Sequence, residues 1–286
     1  MYVVIRDYLL LMKPRVIWLL VLAAIAGYVF AAAPRISIVK VIELTIVGLL
    51  STGGSAAFNM YYERDIDALM IRTRDRPIPS GRVSPGNALI ESLVLSTLSF
   101  VLSYLLLGLW PTLFVVIGWI LYAIGYTVLL KCRSWTNILI GGIAGNAALL
   151  AGWTLARPLD IEAFLLSMAI YLWIPAHIWS LVIRAKSDYA NTCVKMLPLQ
   201  MREDRAMALV SALNVISNIY MLILYLYFLR NLVGLIILLA AALWSTYFSV
   251  KAILRPSREV FWQMFKASSP VLTIFLVLGM IFSLIK

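Results

Sequence analysis

A chain of 286 residues that is 63% hydrophobic and only 13% charged, with a mean hydropathy of +0.96, carries more apolar surface than one soluble core can hide. That excludes a soluble enzyme and places the chain in lipid. The net charge of +11 is read as loop bias plus attraction to anionic membrane lipid, so no nucleic-acid partner is expected.

Apolar stretches of about 18 to 24 residues, each able to cross a hydrocarbon core of roughly 30 Å as a helix, fall near 15–33, 39–58, 87–107, 111–130, 137–156, 161–183, 206–229, 232–250 and 267–285. They predict an all-α membrane protein of nine spans forming one domain over 1–286. The segment before the first span contains Lys13-Pro14-Arg15 and no small-residue cleavage site, so no removable signal peptide is expected. Of the 24 Lys and Arg, 19 sit at the N-terminus or in the loops after spans two, four, six and eight. Those ends should face the cytoplasm, with the C-terminus on the outer face of a multi-pass cell-membrane protein. Cys132 and Cys193 both fall on the expected cytoplasmic side, where thiols stay reduced. Neither a disulfide framework nor a metal knuckle is expected from them.

The second span runs out into NMYYERDID, residues 59–67. At 3.6 residues per turn, Asn59, Glu63 and Asp67 share one helical stripe. Two carboxylates and an amide oxygen suit a hard divalent cation such as Mg2+; the plainer reading is an acidic helix end paired with arginines. The next residues, IRTRDRPIPSGRVSP, put Arg72, Arg74, Arg76 and Arg82 in a segment that its prolines and Gly81 keep from continuing as helix. Carboxylates followed closely by guanidinium forks are what a diphosphate needs: metal on some oxygens, arginine on others.

After the fourth span, YTVLLKCRS sets Tyr126 just before Lys131 and Arg133. These cations are candidates for the same diphosphate, or simple interfacial anchors. Inside the sixth span, WIPAHIWSL holds the only histidine, His177, two residues after Pro175, where a bend is expected. An intramembrane histidine is a functional candidate by default. It suits a second substrate lying in the membrane, for instance as an axial ligand to haem iron, or a hydrogen bond to a neighbouring helix. The loop after the sixth span supplies a second acidic position, Asp188, among Arg184, Lys186 and Lys195. A straight helix puts His177 roughly 16 Å deeper than Asp188, too far to share its metal.

With KPRV at 13–16, NMYYERDIDALMIRTRDRPIPSG at 59–81, TNILIGGIAGNAALLAGW at 136–153, PAHIWSL at 175–181 and DYANTCVKMLP at 188–198, the chain resembles the UbiA superfamily of intramembrane prenyltransferases. Within it, the chain is most similar to the branch that farnesylates haem. The likeness runs from about Lys13 to Pro198. It implies nine helices around a central cavity, capped on the cytoplasmic side by the loops after spans two and six. It further implies Asn59, Glu63 and Asp67 as the first Mg2+ and diphosphate motif, and Asp188 as the second. Arg72, Arg76, Lys131 and Arg133 would stabilise the departing diphosphate, and His177 would serve the acceptor. Phe58, Tyr61, Tyr122, Tyr126 and Trp179 are candidate walls for an allylic cation; all but Tyr126 read equally as packing or interfacial belt residues. The substrates implied are farnesyl diphosphate and haem B, with a downstream haem-modifying enzyme as an associated partner. Four positions depart from the family pattern: Glu63 stands for Asp, Ala148 and Leu149 for Pro-Pro, Ala176 for Pro and Lys195 for Pro. The rivals are an aromatic or glycerol-phosphate acceptor on the same fold, and a membrane transporter, which should carry more ionisable groups deep in its spans.

Overall fold

The computed structural model describes residues 2–285, so the expectation placing Lys286 on the outer face lies outside the described residues. Among these residues, nine helices are long and apolar enough to cross a membrane: Pro14–Ala32, Ile38–Tyr62, Pro85–Leu107, Leu109–Leu130, Asn137–Thr154, Ile161–Arg184, Glu203–Phe228, Leu232–Leu254 and Arg258–Leu284. They stand where hydropathy puts them, with one clear shift. The ninth begins at Arg258 rather than near 267. Ser257 caps it by accepting from Val260 N–H at 3.2 Å, and Phe261 and Met264 are fully buried on its inner face. Packing and a cap carry the helix through turns that a hydropathy window rejects.

Close approach organises the middle of the bundle. A Cβ on Gly152 would lie 1.8 Å from Ala24 O, and one on Gly27 would lie 2.0 Å from Leu149 O. Spans one and five therefore cross backbone to backbone, which only small residues permit in a membrane. Around that crossing Trp153, Ile170, Leu238, Phe275 and Leu276 fill the main core. Span four is the least buried of the nine, and its second half, Ile120–Leu130, is wound as a π-helix, as is the end of span three, Ser103–Leu107; the geometry is rare overall and frequent at functional sites. Pro175 leaves span six helical throughout Ile161–Arg184.

A short helix, Tyr2–Leu11, precedes the first span. Asp7, 5% exposed, accepts from Arg82 Nε at 3.0 Å, while Leu11 packs with Ile78 and Val83. This helix props up the basic loop after span two.

Two expectations need correction. Asn59, Glu63 and Asp67 do not ride one unbroken helix: span two ends at Tyr62, Glu63 sits at the junction (φ −90°, ψ 5°), and a separate short helix, Arg64–Leu69, follows. The i to i+4 bonding nonetheless persists, with Glu63 N–H on Asn59 O at 3.0 Å and Asp67 N–H on Glu63 O at 2.8 Å, so the carboxylates stay near one face. Second, Cys132 and Cys193 form a disulfide, with Cα atoms 4.9 Å apart. The loops that carry them are already joined by Lys195 N–H donating to Lys131 O at 2.9 Å, and Asn137 Nδ2 donates to Lys195 O. That pairing brings the thiols together, a closeness invisible across a sequence separation of 61.

Candidate active site

The broken end of span two gathers charge. Asn59, Glu63 and Asp67 are 1%, 2% and 3% exposed, so each carboxylate needs a partner. Glu63 accepts from Asn59 Nδ2 at 2.6 Å and from Lys131 Nζ. Asp67 accepts from Arg76 Nη1 at 2.6 Å. Lys13 Nζ donates to Asn59 Oδ1. Burial, then the Arg76 guanidinium, pushes Lys13 down to about 7 against the pull of Glu63. Burial also works against the charge on Lys131, but the Glu63 carboxylate, aided by Tyr126, more than offsets it and holds Lys131 above the ordinary lysine value.

Of the expected basic groups, Arg76 and Lys131 are in the cluster. Arg72 and Arg133 are exposed and neither makes an ion pair among the described residues; Arg72 contributes its backbone N–H, which donates to Asp188 Oδ2 at 3.3 Å. That bond joins the loops after spans two and six. Among the described residues no group of three His, Cys, Asp or Glu stands close enough to hold a metal by itself.

Below the charged group lies a cavity of about 580 Å³, within the usual range for small-molecule sites. Lys13 and Tyr126 mark one end, and His177, Trp173 and Phe265 lie along its wall. Tyr126 connects it to the charges, since Lys131 Nζ sits 5.2 Å from its ring centroid. Tyr122 stacks on Tyr126 at 5.6 Å and also faces the cavity. The other three aromatic candidates do not line it: Phe58 stacks on Tyr62, Tyr61 packs against the loop after span two, and Trp179 is buried in a separate apolar cluster. For His177 the hydrogen bond to a neighbouring helix is present: its Nδ1 lies 2.8 Å from Ser268 Oγ on span nine, and the residue also lines the cavity. Among the four departures only Ala148 lines the cavity. At 195 the lysine supplies the N–H that bonds Lys131 O, a donor that proline lacks.

Two members of the charged group were not expected from sequence as site residues. Lys13 reads there as one topogenic charge, and its left-handed backbone (φ 55°, ψ 57°), uncommon for a non-glycine residue, has no sequence signature. Thr127 Oγ1 accepts from Asn59 Nδ2 at 3.0 Å and donates to Tyr122 O at 2.9 Å. Asn59 thus has its amide hydrogens turned to Thr127 and Glu63 and its oxygen turned to a cation, Lys13. The spacing YT in the π-helix was the available signal. This amide oxygen facing an ammonium, beside two buried carboxylates, is an all-oxygen donor set that fits Mg2+.

The profile of the UbiA prenyltransferase family matches residues 20–281. A protein of Caldivirga maquilingensis named protoheme IX farnesyltransferase is 56% identical over 273 residues, 96% of this chain and 97% of that one. One of the same name from Pyrobaculum neutrophilum is 49% identical over 97% of this chain and all of that one. Among solved structures, a digeranylgeranylglyceryl phosphate synthase superposes with a TM-score of 0.77 at 19% identity, covering 99% of each chain. A UbiA homologue of Archaeoglobus fulgidus bound to GPP and Mg2+ gives 0.67 at 14% identity, covering 95% of this chain and 98% of that one.

Proposed function

The chain belongs to the UbiA prenyltransferase family, and from that premise we propose that it transfers the farnesyl group of farnesyl diphosphate to a vinyl group of haem B, with addition of water, giving haem O. The observation that carries the reading is the cavity itself: at one end Lys13, which bonds the buried Asn59–Glu63 group beside it, and along the wall stacked flat rings. A diphosphate fits the first and the edge of a large planar acceptor fits the second. Relatives 56% and 49% identical that bear the farnesyltransferase name support the same substrates.

In this reading Arg76, Lys131 and Lys13 hold diphosphate oxygens, with Arg72 and Arg133 at the rim. Asn59, Glu63 and Asp67, with Asp188 from the facing loop, would hold Mg2+, whose charge would offset that building on the leaving diphosphate. The C1–O bond of the farnesyl diphosphate breaks and its electron pair leaves with the diphosphate. Tyr122 and Tyr126 present ring faces to the allylic cation, each worth about 1 to 2 kcal/mol. The vinyl π electrons form the new carbon–carbon bond, water takes the carbocation left beside the macrocycle, and one proton is released. Apolar walls keep water from the first cation, which it would otherwise quench. The charge bias of the loops supports a cytoplasmic mouth.

A small aromatic-acid or glycerol-phosphate acceptor would bring its anion into the inner cavity with the reacting atom, whereas haem B carries its two propionates on the edge opposite its vinyl groups; an anion in the inner cavity needs a counter-charge. Lys13 and Arg15 are the cationic side chains among its described lining residues, and both stand at the mouth. The test is direct: purified protein with haem B, farnesyl diphosphate and Mg2+ should yield the mass of haem O. Farnesylated hydroxybenzoate or glycerol phosphate, with haem B unchanged, would overturn the assignment.

A further inference from the structure

Spans six and nine meet in a ladder of flat rings. Trp173 stacks on His177 at 4.2 Å, His177 on Phe265 at 4.1 Å, and Phe265 on Trp262 at 5.3 Å. Both faces of the imidazole are covered, so its orientation is fixed by packing. Ser268 then ties the two rings of span six to span nine. Trp173 Nε1 donates to its carbonyl at 2.9 Å, and His177 Nδ1 lies 2.8 Å from its hydroxyl.

Two acceptors lie in reach of that hydroxyl's hydrogen, Phe265 O and His177 Nδ1. Ser268 Oγ donates to Phe265 O at 3.0 Å, and a hydroxyl has one hydrogen to give. With that hydrogen on Phe265 O, the hydroxyl accepts from His177 and Nδ1 is the donor. A neutral imidazole carries one N–H, so Nε2 keeps its lone pair. With two faces stacked and Nδ1 bonded, the Nε2 edge is what His177 offers to the cavity it lines.

We infer that Ser268 is a positioning residue: it sets the tautomer of His177 so that an unprotonated Nε2 faces the cavity as an electron-pair donor to the metal of a planar macrocycle. Second partners of this kind fix the ring and raise the basicity of a ligating nitrogen. The choice of macrocycle rests on the function proposed above; the tautomer does not.

Because the chain has a single histidine, protein labelled with 15N-histidine gives one pair of ring signals. In substrate-free protein Nδ1 should be protonated and Nε2 not, and titration with haem B should move the Nε2 signal and shift the haem absorption band. Ser268→Ala should mix the two tautomers and weaken haem binding about tenfold, the order expected for one lost hydrogen bond, and Ser268→Thr should restore both. A protonated Nε2 in the unaltered protein, or Ser268→Ala signals unchanged, would overturn the positioning role; if the alanine protein does not fold, the unaltered protein decides. Haem B that fails to bind while Nδ1 is protonated would instead remove the acceptor reading and leave Ser268 in its role.

Discussion

The charged mouth and the ringed wall of the cavity are held by opposite means. At the mouth, Glu63 and Asp67 are buried carboxylates balanced one to one by Lys131 and Arg76, so removing any member leaves an uncompensated charge. At the wall, His177 is fixed by ring stacking and one neutral hydrogen bond, and losing a contact costs far less. Charge at the mouth is poised for a substrate that brings its own charge, while the wall holds a neutral group still.

Four measurements bear on that contrast. The largest effect belongs to Asp67→Ala, which should reduce farnesyl transfer by at least about 100-fold with the helical content unchanged by circular dichroism. A protein that kept most of its turnover would detach the mouth from the chemistry. Lys131→Met leaves Glu63 buried without its cation and should cost about 3 kcal/mol of stability in a denaturation series, along with weaker farnesyl diphosphate binding; Ser268→Ala, at the wall, should cost about 1 kcal/mol. Equal losses would erase the distinction. Smaller still is a pH effect. Lys13 is held at about 7 when folded against an ordinary 10.5, so between those values the unfolded chain binds more protons and stability rises with pH; melting temperatures of Lys13→Met should lack that rise. The smallest belongs to Arg133→Ala. Exposed and without an ion pair among the described residues, it should change turnover less than about twofold, and a large loss would show that the rim closes further onto substrate.

The nine spans and most of the mouth were legible because each is written in local composition. Apolar runs mark the spans, and Asn59, Glu63, Asp67 and Arg76 lie within one short, strongly charged stretch. What stayed hidden depends on pairing between distant residues. Lys13 reaches Asn59 across 46 positions, Thr127 across 68, and Ser268 reaches His177 across 91. Lys13, Thr127 and Ser268 are ordinary residues in sequence and acquire their roles only when helices cross. The aromatic candidates, open between cation wall and packing in sequence, divide in the structure. Phe58, Tyr61 and Trp179 stand near the right motifs, yet their faces of the helix turn to packing, because proximity in sequence does not decide which side of a helix meets the cavity.

The bond between Cys132 and Cys193 makes part of the chain into a closed ring. That ring encloses all of spans five and six, and therefore Ala148, Trp173 and His177. Opened by one cut anywhere between the two cysteines, the polypeptide would still be a single molecule. This portion of the cavity wall is in this sense threaded on its own clasp, and the clasp sits at the mouth, immediately beside Lys131.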